Sequence, residues 1–316
     1  MKKKSREINI EEFYMKHKNI PCVVVGSGHT MHDFDYKNFK GIVIVLGSAI
    51  FRTMNIIKPD YLVTANNHMP VPEVKDHRKY INRYKDVTWI LSDTACYDSI
   101  WDLNEENFKR DIKVKYSFFD DRHFKNKECI PKNKCCTFLK KYPDRKMIYD
   151  YMASKFDTKL KTKKQGVSVS DFGITYAILF GCNPIFIQGV DLPQKNYTSV
   201  HGKYYGMSNK RVDRQRNDFV RSLRAKFFFY YLKNLNFKPY FDSLKEKIKV
   251  NLFKKSVFFY GLKFTIIIMK WIKQIAKKKK IKIYVLSKDS TLIKYKIFNY
   301  LSYENLQKKY SQHFKT

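Results

Sequence analysis

The chain has 316 residues and a formal net charge of +34, with 44% hydrophobic, 16% aromatic and 29% charged residues. That length suits one large α/β core with appendages, and the aromatic content excludes a disordered polymer. The charge invites a nucleic-acid reading, but the lysines are scattered and no nucleic-acid module is present. Nucleic acid is therefore not expected as a partner, while an anionic membrane surface or an anionic substrate fits the charge as well.

Residues 1–18 are a charged, helix-prone lead-in, basic from Met1 to Arg6 with no apolar run behind it, so a cytoplasmic location is expected. Pro21 to Val25 then reads as a buried strand entering Gly26-Ser27-Gly28, where glycines let the backbone approach a phosphate. The third glycine of the dinucleotide fingerprint is missing, which argues against a nicotinamide cofactor. Ile42 to Leu46 is a second buried strand, with Gly47 and Ser48 at its carboxyl end. A third strand follows Pro59-Asp60 and ends near Asn66 and Asn67, which either face a ligand or close the strand as an Asx-turn. Val87 to Ser92 reads as a fourth strand. Residues 94–160 show clustered charge and aromatics without periodicity, as a lid or insertion would.

The most informative stretch is 165–192. Gly166 to Ser170, through Val167 and Ser168, reads as a small-residue turn, and Ser168 or Ser170 is placed to cap a helix with Asp171 in its first turn. Gly181 stands where a left-handed residue would end that helix. Ile185 to Ile187 is an all-apolar strand, as in a parallel sheet covered on both faces, and it runs into Gly189-Val190-Asp191. A Gly/Asp pair just past such a strand lies where open α/β sheets bind ligands.

Beyond it, 193–207 is a polar loop with Tyr197, His201, Tyr204 and Tyr205. Loops over a sheet's carboxyl edge carry catalytic groups, and a histidine is suited to take a proton near neutral pH; a solvent-exposed loop histidine is the other reading of His201. Arg211, Arg214, Arg216, Arg221 and Arg224 either meet an anionic acceptor or face water. In 257–276, Lys263, Lys270 and Lys273 interrupt an apolar run at helical spacing and Lys277 follows it. This describes an interfacial helix on the inner leaflet with Trp271 at headgroup depth, or a core helix with snorkelling lysines, but not a spanning one. A last strand over 281–287 carries Ser287 and is followed by Ser290. The six cysteines show no paired spacing and read as reduced thiols; Cys129, Cys135, Cys136 and His123 lack metal-ligand spacing, so no metal site is expected.

The Ser-containing turn, the helix ending in Phe180-Gly181 and the strand ending in Gly189-Val190-Asp191 resemble a motif of two related families. These are the bacterial sialyltransferases of glycosyltransferase family 42 and the motility accessory factor and 6-hydroxymethylpterin pyrophosphokinase-like proteins. Gly26-Ser27-Gly28 stands in the place of their nucleotide-binding turn, with His29-Thr30-Met31 instead of Pro-Ser-Leu, and Pro59-Asp60 matches a dipeptide they often carry. The resemblance implies a Rossmann-like, mainly parallel sheet with helices on both faces, a glycosyltransferase-A variant with a lid insertion and a basic amphipathic C-terminal helix. In this reading 1–250 is the nucleotide-sugar domain, with its insertion at about 94–160, and 251–316 is a basic segment that returns a last strand.

The resemblance further implies a glycosyltransferase moving a nonulosonic acid such as sialic acid from a CMP-sugar donor to a surface glycan or glycolipid, for example lipooligosaccharide. No cofactor would be required, with room for stimulation by Mg²⁺ or Mn²⁺. His201 would be the general base, and Tyr197, Tyr204 and Tyr205 would steady the departing phosphate. The nucleotide would meet Gly26, Ser27, Gly28, Gly47, Ser48, Asn66, Asn67, Gly166, Val167, Ser168, Gly189, Asp191, Ser287 and Ser290. Homo-oligomers and a peripheral place on the inner membrane also accord with it. The alternative from the second family is ATP-dependent pyrophosphoryl transfer to a hydroxymethylpterin, disfavoured by the scarcity of clustered carboxylates for Mg²⁺. The sequence has no G-x-x-x-x-G-K-[ST], G-x-S-x-G or H-E-x-x-H motif, which disfavours the commoner ATPase and hydrolase chemistries.

Overall fold

The computed structural model describes residues 7–26, 28–49, 57–64, 82, 84–92, 113–119, 148–160, 169–190, 265–288 and 290–315. The chain divides into two compact units, one comprising Met1–Leu192 with Phe264–Thr316 and the other Pro193–Lys263. All described residues belong to the first.

That unit is built on one sheet of β1 (Cys22–Val25), β2 (Ile42–Leu46), β3 (Tyr61–Thr64), β4 (Thr88–Ser92), β5 (Tyr116–Phe119), β6 (Ile185–Gln188), β7 (Ile283–Val285) and β8 (Asn299–Tyr300). The spatial order is β5-β4-β3-β2-β1-β6-β7-β8, and every neighbouring pair is parallel. The chain thus steps outward from β1 to one edge, returns to the other side of β1 and steps outward again. Strand order reverses between β1 and β6, and such a switch point opens a crevice at the carboxyl ends of the two strands.

A strand in this arrangement is covered on both faces, so the run Val23-Val24-Val25 needs no polar alternation. Val24, Ile44, Val63 and Ile187 face one apolar cluster, while Val23, Val45, Leu62 and Phe186 face another. Helices α1 (Ile148–Lys155) and α2 (Ser170–Leu179) and a third helix, α3, over 265–278 supply residues to the first cluster. The second is closed by the chain following β1, through Met31, Phe34 and Phe39, and by Leu306 and Tyr310 of a later helix, Tyr303–Tyr310. The sheet is therefore Rossmann-like, as expected.

Two expectations change, and a third position with two open readings takes one of them. The stretch 94–160 is not all insertion, because β5 extends the sheet and α1 packs into the core. The cap of α2 is neither Ser168 nor Ser170: Val169 stands there without a side-chain cap bond, and Ser170 is the buried first helical residue. The apolar face of α3 is not free for a bilayer, since Ile268, Met269, Trp271, Ile272 and Ile275 are buried. Trp271 packs edge-on against Tyr149 and donates from Nε1 to Thr158 Oγ1 at 3.2 Å, while Lys270, Lys273 and Lys277 stay exposed. This is the core helix with outward lysines, and no helix among the described residues is long and apolar enough to cross a membrane. Cys22 and Cys182 are buried free thiols, as the sequence suggested.

At the end of α2, Gly181 takes φ +76, and the amides of Gly181 and Cys182 bond to the carbonyls of Ile178 and Ala177, a Schellman cap. The loop before β1 is stitched to this cap by Met15, His17 and Asn19, whose amides donate to Leu179, Phe180 and Gly181, each at 2.8 Å. Phe13, fully buried, meets the rings of Tyr61, Tyr176 and Phe180 at the same place. His17 Nε2 lies 2.6 Å from Tyr61 Oη, and burial, then the neighbouring Lys16, holds its imidazole below the usual histidine value near 6.5. The folded chain thus refuses a proton that the unfolded chain accepts, so this contribution to stability is complete above about 6.5 and is lost as pH falls through the folded value. Urea denaturation across that range should show the loss, and His17→Gln should flatten it relative to the parent.

Candidate active site at the carboxyl edge

The residues that converge at the switch point are two glycines. After β1, Gly26 N donates to Gln188 O at 2.8 Å and Gly28 N to Gly189 O at 2.7 Å, so the turns after β1 and β6 bond to each other. They also touch. A Cβ on Gly26 would lie 2.4 Å from Gly189 O, and one on Gly189 would lie 2.5 Å from Gly26 O and 2.9 Å from Met31 Cβ. Gly189 also has φ +63, a conformation that side-chain-bearing residues rarely adopt. No other residue type fits either position without separating the two turns.

Around this contact the backbone is pinned. Gln188, 2% exposed, donates from Nε2 to Thr30 O, and Tyr36 Oη donates to Met31 O at 2.6 Å. Burial pushes the Tyr36 hydroxyl far above its ordinary range, so it serves as a permanent donor. On the other side, Ser290 Oγ donates to Val190 O at 2.9 Å and caps the short helix α4 (Thr291–Lys294) by accepting from Leu292 N. The turns after β1, β6 and β7 are thereby tied into one hydrogen-bonded unit.

Two features are open rather than closed. Gly47, at the end of β2 with φ +45, has among the described residues only Val169 Cγ1 near its missing Cβ, at 3.6 Å, so these residues leave space beside the first turn of α2. That turn presents the positive end of the helix dipole, and its buried Asp171 complements it. Ser287, 3% exposed, has a hydroxyl with no hydrogen-bond partner among the described residues, and Thr64 at the end of β3 has another. A buried hydroxyl without a partner costs free energy unless something polar reaches it.

Of the expected nucleotide-binding residues, the structure gathers Gly26, Gly28, Gly47, Ser48, Gly189, Ser287 and Ser290 at the carboxyl ends of four adjoining strands, β2-β1-β6-β7. At strand spacing this row spans about 14 Å. Ser290 commits its hydroxyl to the cap and to Val190, so its visible role is positioning. Ser27, Asn66, Asn67, Gly166, Val167, Ser168, Asp191, Tyr197, His201, Tyr204 and Tyr205 lie outside the described residues, as do the five arginines over 211–224 and Cys129, Cys135, Cys136 and His123. Among the described residues no group of His, Cys, Asp and Glu could hold a metal ion. Sequence reasoning overlooked Gln188 and Thr64. Gln188 is the single polar residue of an otherwise apolar strand, and that contrast was the available signal.

No protein-family model and no curated protein matches the chain. Solved structures with a similar course of chain include the sialyltransferase CstII from Campylobacter jejuni in complex with cytidine-5'-monophosphate, at 14% identity and TM-score 0.40, covering 94% of this chain and 99% of that one. An α-2,3-sialyltransferase from Campylobacter jejuni in apo form shares 12% identity at TM-score 0.39, covering 92% and 86%. The Maf glycosyltransferase from Magnetospirillum magneticum shares 17% identity at TM-score 0.32 over 61% of this chain, which spans only 27% of that protein.

The glycine contact orders three substitutions. Gly26→Ala should cost about 1–3 kcal/mol by overpacking alone, and Gly189→Ala more, because strain in φ is added to the clash. Gly47→Ala, with room for the methyl but a positive φ, should cost about 1 kcal/mol. Urea denaturation midpoints read this order directly; a Gly26→Ala protein as stable as the parent would mean that the turns are not in contact.

Proposed function

We propose that the protein is a glycosyltransferase of the sialyltransferase type, transferring a nonulosonic acid such as sialic acid from a CMP-activated donor to a sugar hydroxyl of a surface glycan such as lipooligosaccharide. The observation that carries this reading is the Gly26–Gly189 contact at the switch point, with the space at Gly47 and the unpartnered Ser287 hydroxyl beside it. A ligand held there meets backbone, hydroxyls and a helix N-terminus rather than a lysine-bearing phosphate loop, which suits a nucleoside monophosphate ester. The sequence resemblance of 165–192 to family 42 supplies the choice of donor.

In this reading His201 accepts the proton of the acceptor hydroxyl as its oxygen attacks the anomeric carbon. The bond from that carbon to the CMP phosphate oxygen breaks, and configuration inverts. Tyr197, Tyr204 and Tyr205 donate to the phosphate as negative charge collects on it, an interaction strongest in the transition state. Asn66 or Asn67 and Asp191 complete the nucleotide contacts.

A thermal melt of the purified protein tests the donor. CMP at a hundred times its dissociation constant adds about 2.7 kcal/mol, which for a domain of this size raises Tm by roughly 5 °C. His201→Ala should keep that shift while lowering CMP release from a CMP-activated nonulosonate by about 10²–10⁴-fold. A shift with ATP and Mg²⁺ but not with CMP would transfer the assignment to pyrophosphoryl transfer. Neither a CMP shift nor CMP release would end the sialyltransferase reading.

A further inference from the structure

We propose that the amino-terminal edge of the sheet is a docking surface for an anionic phospholipid bilayer. In a sheet whose strands are all parallel, every strand starts at the same edge, so the residues just before the strands become neighbours however far apart they are in sequence. Within the four residues before each strand except β6 there is an exposed lysine, from Lys115 before β5 at one end to Lys296 before β8 at the other. Eight strands at about 4.8 Å spacing spread these charges along roughly 34 Å. Lys277 to Lys280, all exposed, add a cluster where α3 delivers the chain to β7.

The acids of this edge are engaged. Asp86 pairs with Lys58 at 3.2 Å, Glu11 with Lys155 at 3.1 Å and Asp157 with Lys278 at 2.9 Å. Asp60 accepts from Val43 N at 2.8 Å, and Glu12 accepts from Asn9 N at 2.9 Å. The lysines that remain crowd one another: Lys16 is held below the ordinary lysine value by burial and then by Lys115. The opposite edge lacks this row: among the described residues in the four positions after each strand, Lys288 is the only lysine or arginine, and Glu304 is set against it. Basic residues scattered only by composition would not sort by sheet edge.

The edge also carries apolar groups that the core does not use. Among the described residues the exposed large hydrophobics are Ile20, Tyr295 and Tyr300. Ile20, 39% exposed, follows Lys18 in the loop before β1, and Tyr295, 45% exposed, stands between Lys294 and Lys296 in the loop before β8. Lysines interspersed with a few apolar or tyrosyl tips suit a headgroup layer, where the charges meet anionic lipids and the tips enter the interface. Nucleic acid calls for different groups, namely arginine forks and aromatic stacking platforms along a groove, and no arginine stands in the pre-strand positions.

The test is co-sedimentation of the full chain with phosphatidylcholine vesicles, with and without about 30% phosphatidylglycerol, in low and high salt, since screening weakens such binding. The protein should bind the anionic vesicles alone and release in high salt. One lysine at the surface contributes about fivefold, so Lys18→Gln, Lys115→Gln and Lys282→Gln together should lower the apparent affinity on the order of a hundredfold. The control pair Lys270→Gln and Lys288→Gln, in α3 and just after β7, leaves every pre-strand lysine in place and should cost far less than Lys18→Gln with Lys115→Gln. Equal losses from these two pairs, or no binding to anionic vesicles in low salt, would overturn the proposal. Tighter binding to single- or double-stranded RNA, lost in the amino-edge triple, would make nucleic acid the occupant and also overturn it.

Discussion

The constraint on which the rest of the unit depends is the mutual contact of Gly26 and Gly189, each with the other's carbonyl oxygen where its own side chain would be. Where the connections after two parallel neighbouring strands leave in opposite directions, at a switch point, a gap normally opens at the strands' carboxyl ends. Here the gap is narrowed until backbone meets backbone, and the exchange continues outward through Gln188 to Thr30 on one side and Ser290 to Val190 on the other. Three turns that carry the candidate nucleotide contacts are therefore held by backbone bonds between the turns after β1 and β6 and by the buried side chains of Gln188, Tyr36 and Ser290. Such a floor is rigid without being polar, which leaves the few unpartnered hydroxyls as its distinctive chemistry.

The central strands were legible because they are covered on both faces: runs such as Val23 to Val25 and Ile42 to Leu46 admit little else. The outer ones were not. β5 reads Tyr-Ser-Phe-Phe between Lys113, Lys115 and Asp120, and β8 is two exposed residues, so neither carries a pattern distinguishable from a loop. They become strands because a neighbour offers its backbone, a tertiary fact. α3 was left open between two readings. Its lysine stripe and apolar stripe were read correctly, but periodicity fixes which residues share a face and not what that face meets. Trp271 resolves it, since its indole N–H finds Thr158 at the far side of a buried ring cluster.

The candidate site was legible as far as backbone demands it. A glycine against which another turn's carbonyl packs leaves a mark in the sequence, and Gly26 and Gly189 were found by that mark, while Gly47 was found by its place at the end of β2. Hydroxyls leave none. Ser290 and Ser287 looked alike in sequence, two serines after one strand, yet one is a cap and a tie while the other is buried without a partner among the described residues. Thr64 was invisible for the same reason, because threonine is an ordinary strand residue until its depth is known.

The two edges of the sheet set a condition on the acceptor. Strands of about four residues rise roughly 13 Å, so on the proposed docking the carboxyl ends of the strands would stand at least that far from the headgroups. If the proposed transfer also holds, an acceptor hydroxyl directly attached to a lipid headgroup would not reach them, whereas one at the end of an extended glycan would. The two proposals together therefore favour addition to the outer end of a grown saccharide over the first sugar on its lipid, and they do so through the length of the strands, independently of which residue serves as base.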